Sequence, residues 1–112
     1  MILIHSRTEL REEDKVMQMN LLEDRLSPFF INDDDFLFST ESNPHIVKDL
    51  ITEHKVYLLF VRSLQEVGLT PDGLKEVITE LVKNNGFFRA ESDDLSIGVE
   101  EINNIDSCLF YP

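Results

Sequence analysis

Three features of the chain predict an α+β fold. Two apolar stretches open with helix-start signals, Asn43-Pro44 and Thr70-Pro71. Two β-favouring stretches are each divided by an acidic turn, Asn32–Asp35 and Ser92–Asp94. The chain has 112 residues and is 42 % hydrophobic, enough for one core and too short for two. The expected order is α–ββ–α–α–ββ(β), a single domain over residues 1–112 with its helices packed on an antiparallel sheet.

Residues 2–4 form a short strand or fray. The first helix is expected over about 7–26. Ser6 and Glu9 match a capping box, and Pro28 stops the helix. Its apolar residues occupy two faces: Leu10, Met17 and Leu21 on one, Met19, Leu22 and Leu26 opposite. Such a helix is covered on both sides or offers its second face to a partner.

A hairpin should follow, Phe29–Ile31 against Phe36–Phe38 around the turn Asn32–Asp35. The second helix is expected from Asn43-Pro44 to Gly68, which would supply a left-handed cap. Ile46, Leu50, Tyr57, Val61 and Leu64 follow helical spacing. Residues 56–61 also read as a buried strand after a break near 52–54, because periodicity does not separate the two, and helix is the preferred reading. The third helix runs from Thr70-Pro71 to Asn84-Asn85-Gly86 on the stripe Leu74, Val77, Ile78, Leu81, Val82. Strands are expected over 87–90 and 95–99, joined by Ser92–Asp94, with a last strand over 108–111. The predicted core is Leu50, Tyr57, Val61, Leu64, Leu74, Val77, Ile78, Leu81, Ile97 and Val99.

The formal net charge is -12, unevenly spread. Residues 1–43 hold ten acidic against four basic side chains and residues 86–112 six against one, while 44–85 are nearly balanced. This field repels nucleic acid and anionic membranes and attracts cationic partners. It also argues against a winged helix-turn-helix DNA reader, which the order 55–67, 71–84, 87–99 otherwise suggests, because a DNA reader needs a basic footprint. One cysteine, Cys108, excludes an intrachain disulfide and disfavours a thiolate metal site. The apolar start and the longest apolar run, Val56–Val61, are too short for a signal-peptide core or a membrane span, so a cytoplasmic location is expected.

Chemistry-bearing patterns are sparse. His5, His45 and His54 lack metal-ligand spacing and are expected on the surface. Ser63 and Ser107 have no nucleophile-elbow context, and four glycines form no phosphate loop. The runs Asp33–Asp35 and Asp93-Asp94 do not match a calcium loop. No catalytic residue, metal or cofactor is therefore expected.

The acids and aromatics instead predict a non-enzymatic binding protein. It would neutralise a basic, nucleic-acid-handling partner, in the manner of an immunity protein or a phage-type inhibitor, by imitating phosphate charge or by pairing with Lys and Arg. The expected contact residues are Asp33, Asp34, Asp35, Phe36, Phe38, Asp93, Asp94, Glu100 and Glu101, with Phe87 and Phe88 as further anchors. The alternative is a small acidic chaperone or adaptor, dimeric, using the second face of the first helix.

Overall fold

In the computed structural model, which describes residues 1–26 and 32–105, strands and helices alternate. The order is β1 (Ile2–His5), α1 (Glu12–Arg25), β2 (Phe36–Ser39), α2 (Pro44–Glu53), β3 (Leu58–Val61), α3 (Pro71–Lys83), β4 (Phe87–Ala90) and β5 (Leu95–Ile97). The α+β class holds, as three helices with one five-stranded mixed sheet. The expected antiparallel sheet does not form. The strand order is β2-β1-β3-β4-β5; the first four are parallel and only β5 runs against β4.

The order follows from where β3 lies. The run Leu58-Leu59-Phe60-Val61 is a strand, not part of a long second helix, and all four residues are buried. A parallel strand covered on both faces needs no polar alternation, so its sequence resembles a buried helical turn. The helix ahead of it stops at Glu53 without a glycine. Lys55 takes the left-handed conformation (φ 53°), and the Val56 amide donates to the Ile51 carbonyl over 3.0 Å. This is a Schellman end with lysine where glycine is usual. Gly68 is left-handed as expected (φ 73°), but it follows the short 3₁₀ turn Leu64–Glu66 rather than a long helix. Without a helix over 55–67, the winged helix-turn-helix arrangement is also excluded.

The third helix forms where its stripe places it. Thr70 accepts a hydrogen bond from the Gly73 amide (3.1 Å), and Leu74, Val77, Ile78, Leu81 and Val82 are buried. The β4–β5 hairpin and the short N-terminal strand also form, the latter as an interior strand between β2 and β3. The first helix is shorter than expected. Its N-cap is Arg11, and Ser6 donates its hydroxyl to the Thr8 carbonyl (2.6 Å) in the loop before it, so the Ser6–Glu9 capping box is absent. Among the described residues, Phe36–Ser39, expected as one arm of a hairpin, is the outer strand of the sheet and runs parallel to β1. The other expected arm, Phe29–Ile31, and the expected strand over Cys108–Tyr111 lie outside the described residues.

Helices cover both faces of the sheet. Alternate residues of each strand feed two apolar clusters. Ile2, Ile4, Leu58 and Phe60 pack with Phe36 under Leu22 of α1. Leu3, Leu59, Val61, Phe88 and Ile97 pack under α2 and α3. β2 and β3 flank β1 on opposite sides, so the crossover from β1 to β2 and the crossover from β2 to β3 run in opposite directions along the sheet. The crevice above the C-terminal ends of β1 and β3 is therefore the topological switch point, where open parallel sheets hold their ligands.

Candidate functional site

The strands end along two opposite edges of the sheet, and the expected contact residues divide between them. Along the N-terminal edge of the parallel strands, Asp33–Asp35 precede β2, Met1 precedes β1, Tyr57 precedes β3, and Phe87 opens β4. Because β5 is antiparallel, it ends at this same edge and delivers Val99, Glu100 and Glu101 there. The row is continuous. The Tyr57 amide donates to the Met1 carbonyl (3.0 Å), and the Phe87 amide donates to the Tyr57 carbonyl (2.9 Å). A Cβ on Gly98 would lie 3.7 Å from that of Phe87. Burial first, and the charge of Asp35 second, hold the Tyr57 phenol above its ordinary pKa, so Asp35 is electrostatically coupled to the ring.

Two residues expected in the core, Tyr57 and Val99, are instead 40 % and 66 % exposed at this edge, and Phe87 is 38 % exposed. The expectation failed because Tyr57 was assigned by the spacing of a helix that ends before it. Val99 lies two residues beyond the last residue of β5. Leu50 and Leu64, also expected in the core, are half-buried, and the other six predicted core residues are buried.

The acidic side chains are not equivalent. Asp35 accepts from the Asn32 amide (2.7 Å) in a reciprocal cap, Glu101 accepts from the Gly98 amide (2.8 Å), and both secure their own turns. Asp93 and Asp94 lie at the opposite edge, in the β4–β5 turn. Asp93 accepts from the Leu64 amide (2.8 Å) and Asp94 pairs with Arg89 (2.9 Å). Among the described residues, the carboxylates of Asp33, Asp34 and Glu100 make no hydrogen bond or ion pair. Phe36 and Phe88 are buried core residues and offer no anchor; Phe38 is half-buried, with the Lys15 ammonium 5.2 Å from its ring centre.

At the C-terminal edge, three hollows surround the switch point. One, of about 260 Å³, is walled by the β1–α1 loop and the residues after β3, among them Ser6, Arg7, Glu9, Arg11 and Arg62. A second, of about 350 Å³, shares Ser6, Glu9 and Leu10 and extends to Phe38. A third, of about 360 Å³, lies between α1 and the ends of β3 and β4, with Met17, Leu21 and Phe60 in its wall. Met17 is 65 % exposed, whereas Leu10 and Leu21 of the same face are half-buried against the apolar cluster under α1.

His5, expected on the surface, is 1 % exposed at the end of β1, and neither ring nitrogen makes a hydrogen bond of ordinary geometry. Burial holds its imidazole below the usual pKa. The Val67 backbone and the Glu41 carboxylate pull the other way and are outweighed. Nothing in the sequence marks this residue except its place at the end of an apolar tetrapeptide.

Among the described residues no group of three His, Cys, Asp or Glu side chains is arranged to hold a metal ion. No helix among them is long and apolar enough to cross a membrane. No protein-family model, curated protein or solved structure matches the chain.

Proposed function

We propose that this chain is a non-enzymatic binding protein that neutralises a basic, nucleic-acid-handling protein in the cytoplasm, engaging it through the N-terminal edge of the sheet. The observation that carries the reading is the row of exposed aromatic and apolar side chains, Tyr57, Phe87 and Val99, with carboxylates at its two ends that are unpaired among the described residues, Asp33 and Asp34 on one side and Glu100 on the other. Strands about 4.8 Å apart make the row roughly 20 Å long, the span of a modest protein contact. Aromatic anchors inside a charged rim are the usual anatomy of an interface hot spot. The overall charge of -12 selects cationic partners and speeds their encounter.

A second reading has its own observation. The exposed Met17 and the apolar hollow beside it suit an adaptable hydrophobic contact, as in a chaperone or adaptor.

Affinity capture from source lysate at low and high salt separates the two, using wild type, Asp33→Lys/Asp34→Lys/Glu100→Lys and Met17→Ser. The inhibitor reading expects a basic protein that elutes at high salt and is lost from the triple variant. A partner retained at high salt and lost only with Met17→Ser would replace it with the second reading.

A further inference from the structure

The switch-point crevice lies on the opposite edge from the proposed protein contact and is independent of it. In a chain with 22 acidic and 10 basic residues, three of the five arginines, Arg7, Arg11 and Arg62, line this one hollow. Three carboxylates, Glu9, Asp14 and Glu66, line it with them, so the wall is electrically balanced in a protein that elsewhere is strongly negative.

Most of these charges are used within the wall. Arg11 pairs with Glu13 (3.2 Å) and Asp14 (3.4 Å), and Arg62 lies 3.9 Å from Glu66. Arg7 and Glu9 are left, one cation and one anion two residues apart on the β1–α1 loop. Neither side chain has a hydrogen bond or ion pair among the described residues. The hydroxyls of Ser6 and Thr8 belong to the same loop.

The loop is held in place. The Arg7 amide donates to the Glu66 carbonyl (2.6 Å), and Gly68 packs so closely that a Cβ there would stand 2.8 Å from the Arg7 Cα. A polyanion such as a nucleotide is disfavoured, because Glu12, Glu13 and Asp14 occupy the first turn of α1 and cancel its dipole. A polycation meets three arginines.

We propose that the crevice binds a free α-amino acid, its carboxylate on Arg7 and its ammonium on Glu9. A small zwitterion is the ligand class that meets one unpaired charge of each sign, and a strand switch point is where open parallel sheets hold their ligands. The adjoining hollow shares Ser6, Glu9 and Leu10 and leads to Phe38, and it would receive the amino-acid side chain.

The test is an amide-resonance titration of the full chain with each common amino acid, with acetate, methylamine and inorganic phosphate as single-charge probes. N-acetyl and carboxamide derivatives of any amino acid that binds complete the set. Saturable shifts centred on residues 6–11 and 62–66 are expected for a free amino acid, with about tenfold or greater weakening on blocking either end. Arg7→Gln and Glu9→Gln should each weaken binding to a similar degree. Both positions are exposed, and an unchanged melting temperature will show that the variants fold. The proposal is overturned if no amino acid shifts these resonances. Phosphate or acetate binding as tightly as any amino acid, or both variants binding like wild type, would overturn it equally.

Discussion

Phe87 donates its amide hydrogen to the carbonyl of Tyr57 over 2.9 Å, joining the two exposed aromatic residues of the described chain through the starts of adjacent parallel strands. Each ring is more than half covered yet keeps an exposed face open to a partner. Tyr57→Ala and Phe87→Ala should each cost about 1–3 kcal/mol of unfolding free energy and leave the protein folded. Each should weaken binding of the basic partner by about 2 kcal/mol, some thirtyfold. Chemical denaturation and calorimetric titration of the captured partner measure the two quantities. Wild-type affinity in both variants would remove this edge from the proposal.

The carboxylates should divide into two groups. Asp93→Ala removes the acceptor of the Leu64 amide and should cost about 1 kcal/mol of stability. Asp33→Asn and Glu100→Gln secure nothing within the described fold and should stay within about 0.5 kcal/mol of wild type. Urea titrations of the three variants compare them directly. Equal losses would mean that the local hydrogen bonds do not distinguish these acids.

Gly68 combines a left-handed backbone with a close approach to Arg7. Gly68→Ala strains the backbone and drives a methyl into the Arg7 main chain, where no flexible side chain can yield. A loss of about 2 kcal/mol or more is expected, with amide shifts concentrated in residues 6–9. Thermal melting and an amide spectrum test both parts.

His5 makes stability depend on pH. Its folded pKa lies below the ordinary 6.5, so between 6.5 and the lowered value the unfolded chain binds a proton that the folded chain does not. This contribution is fully present above about pH 6.5 and is lost as the pH falls through the folded value. Glu41 faces the imidazole and reduces the effect without reversing it. His5→Leu removes two unsatisfied buried nitrogens, and it should raise stability at neutral pH by up to about 2 kcal/mol and flatten this part of the profile. Urea midpoints for both proteins at pH 7.5, 6.5 and 5.5 provide the check; parallel profiles would rule His5 out as the source.

Local signals were legible wherever a few neighbouring residues decide the outcome. Thr70-Pro71 and the stripe through Leu81 defined α3, Asn43-Pro44 defined the start of α2, and Phe87–Ile97 defined the hairpin. Composition alone set the charge. The end of α2 was not legible, because Lys55 occupies the left-handed position without the glycine that usually marks it. The identity of β3 was hidden for a related reason: four consecutive apolar residues satisfy a helix turn and a doubly covered strand equally well. The strand order, and with it the switch-point crevice, depends on pairing between residues far apart in the chain, which no local pattern encodes. The acids show the same division. Their number is a property of the sequence, but only the folded backbone brings the Leu64 amide to Asp93 and leaves Asp33 and Glu100 facing solvent, because a carboxylate is committed only when a distant donor is carried to within 3 Å of it.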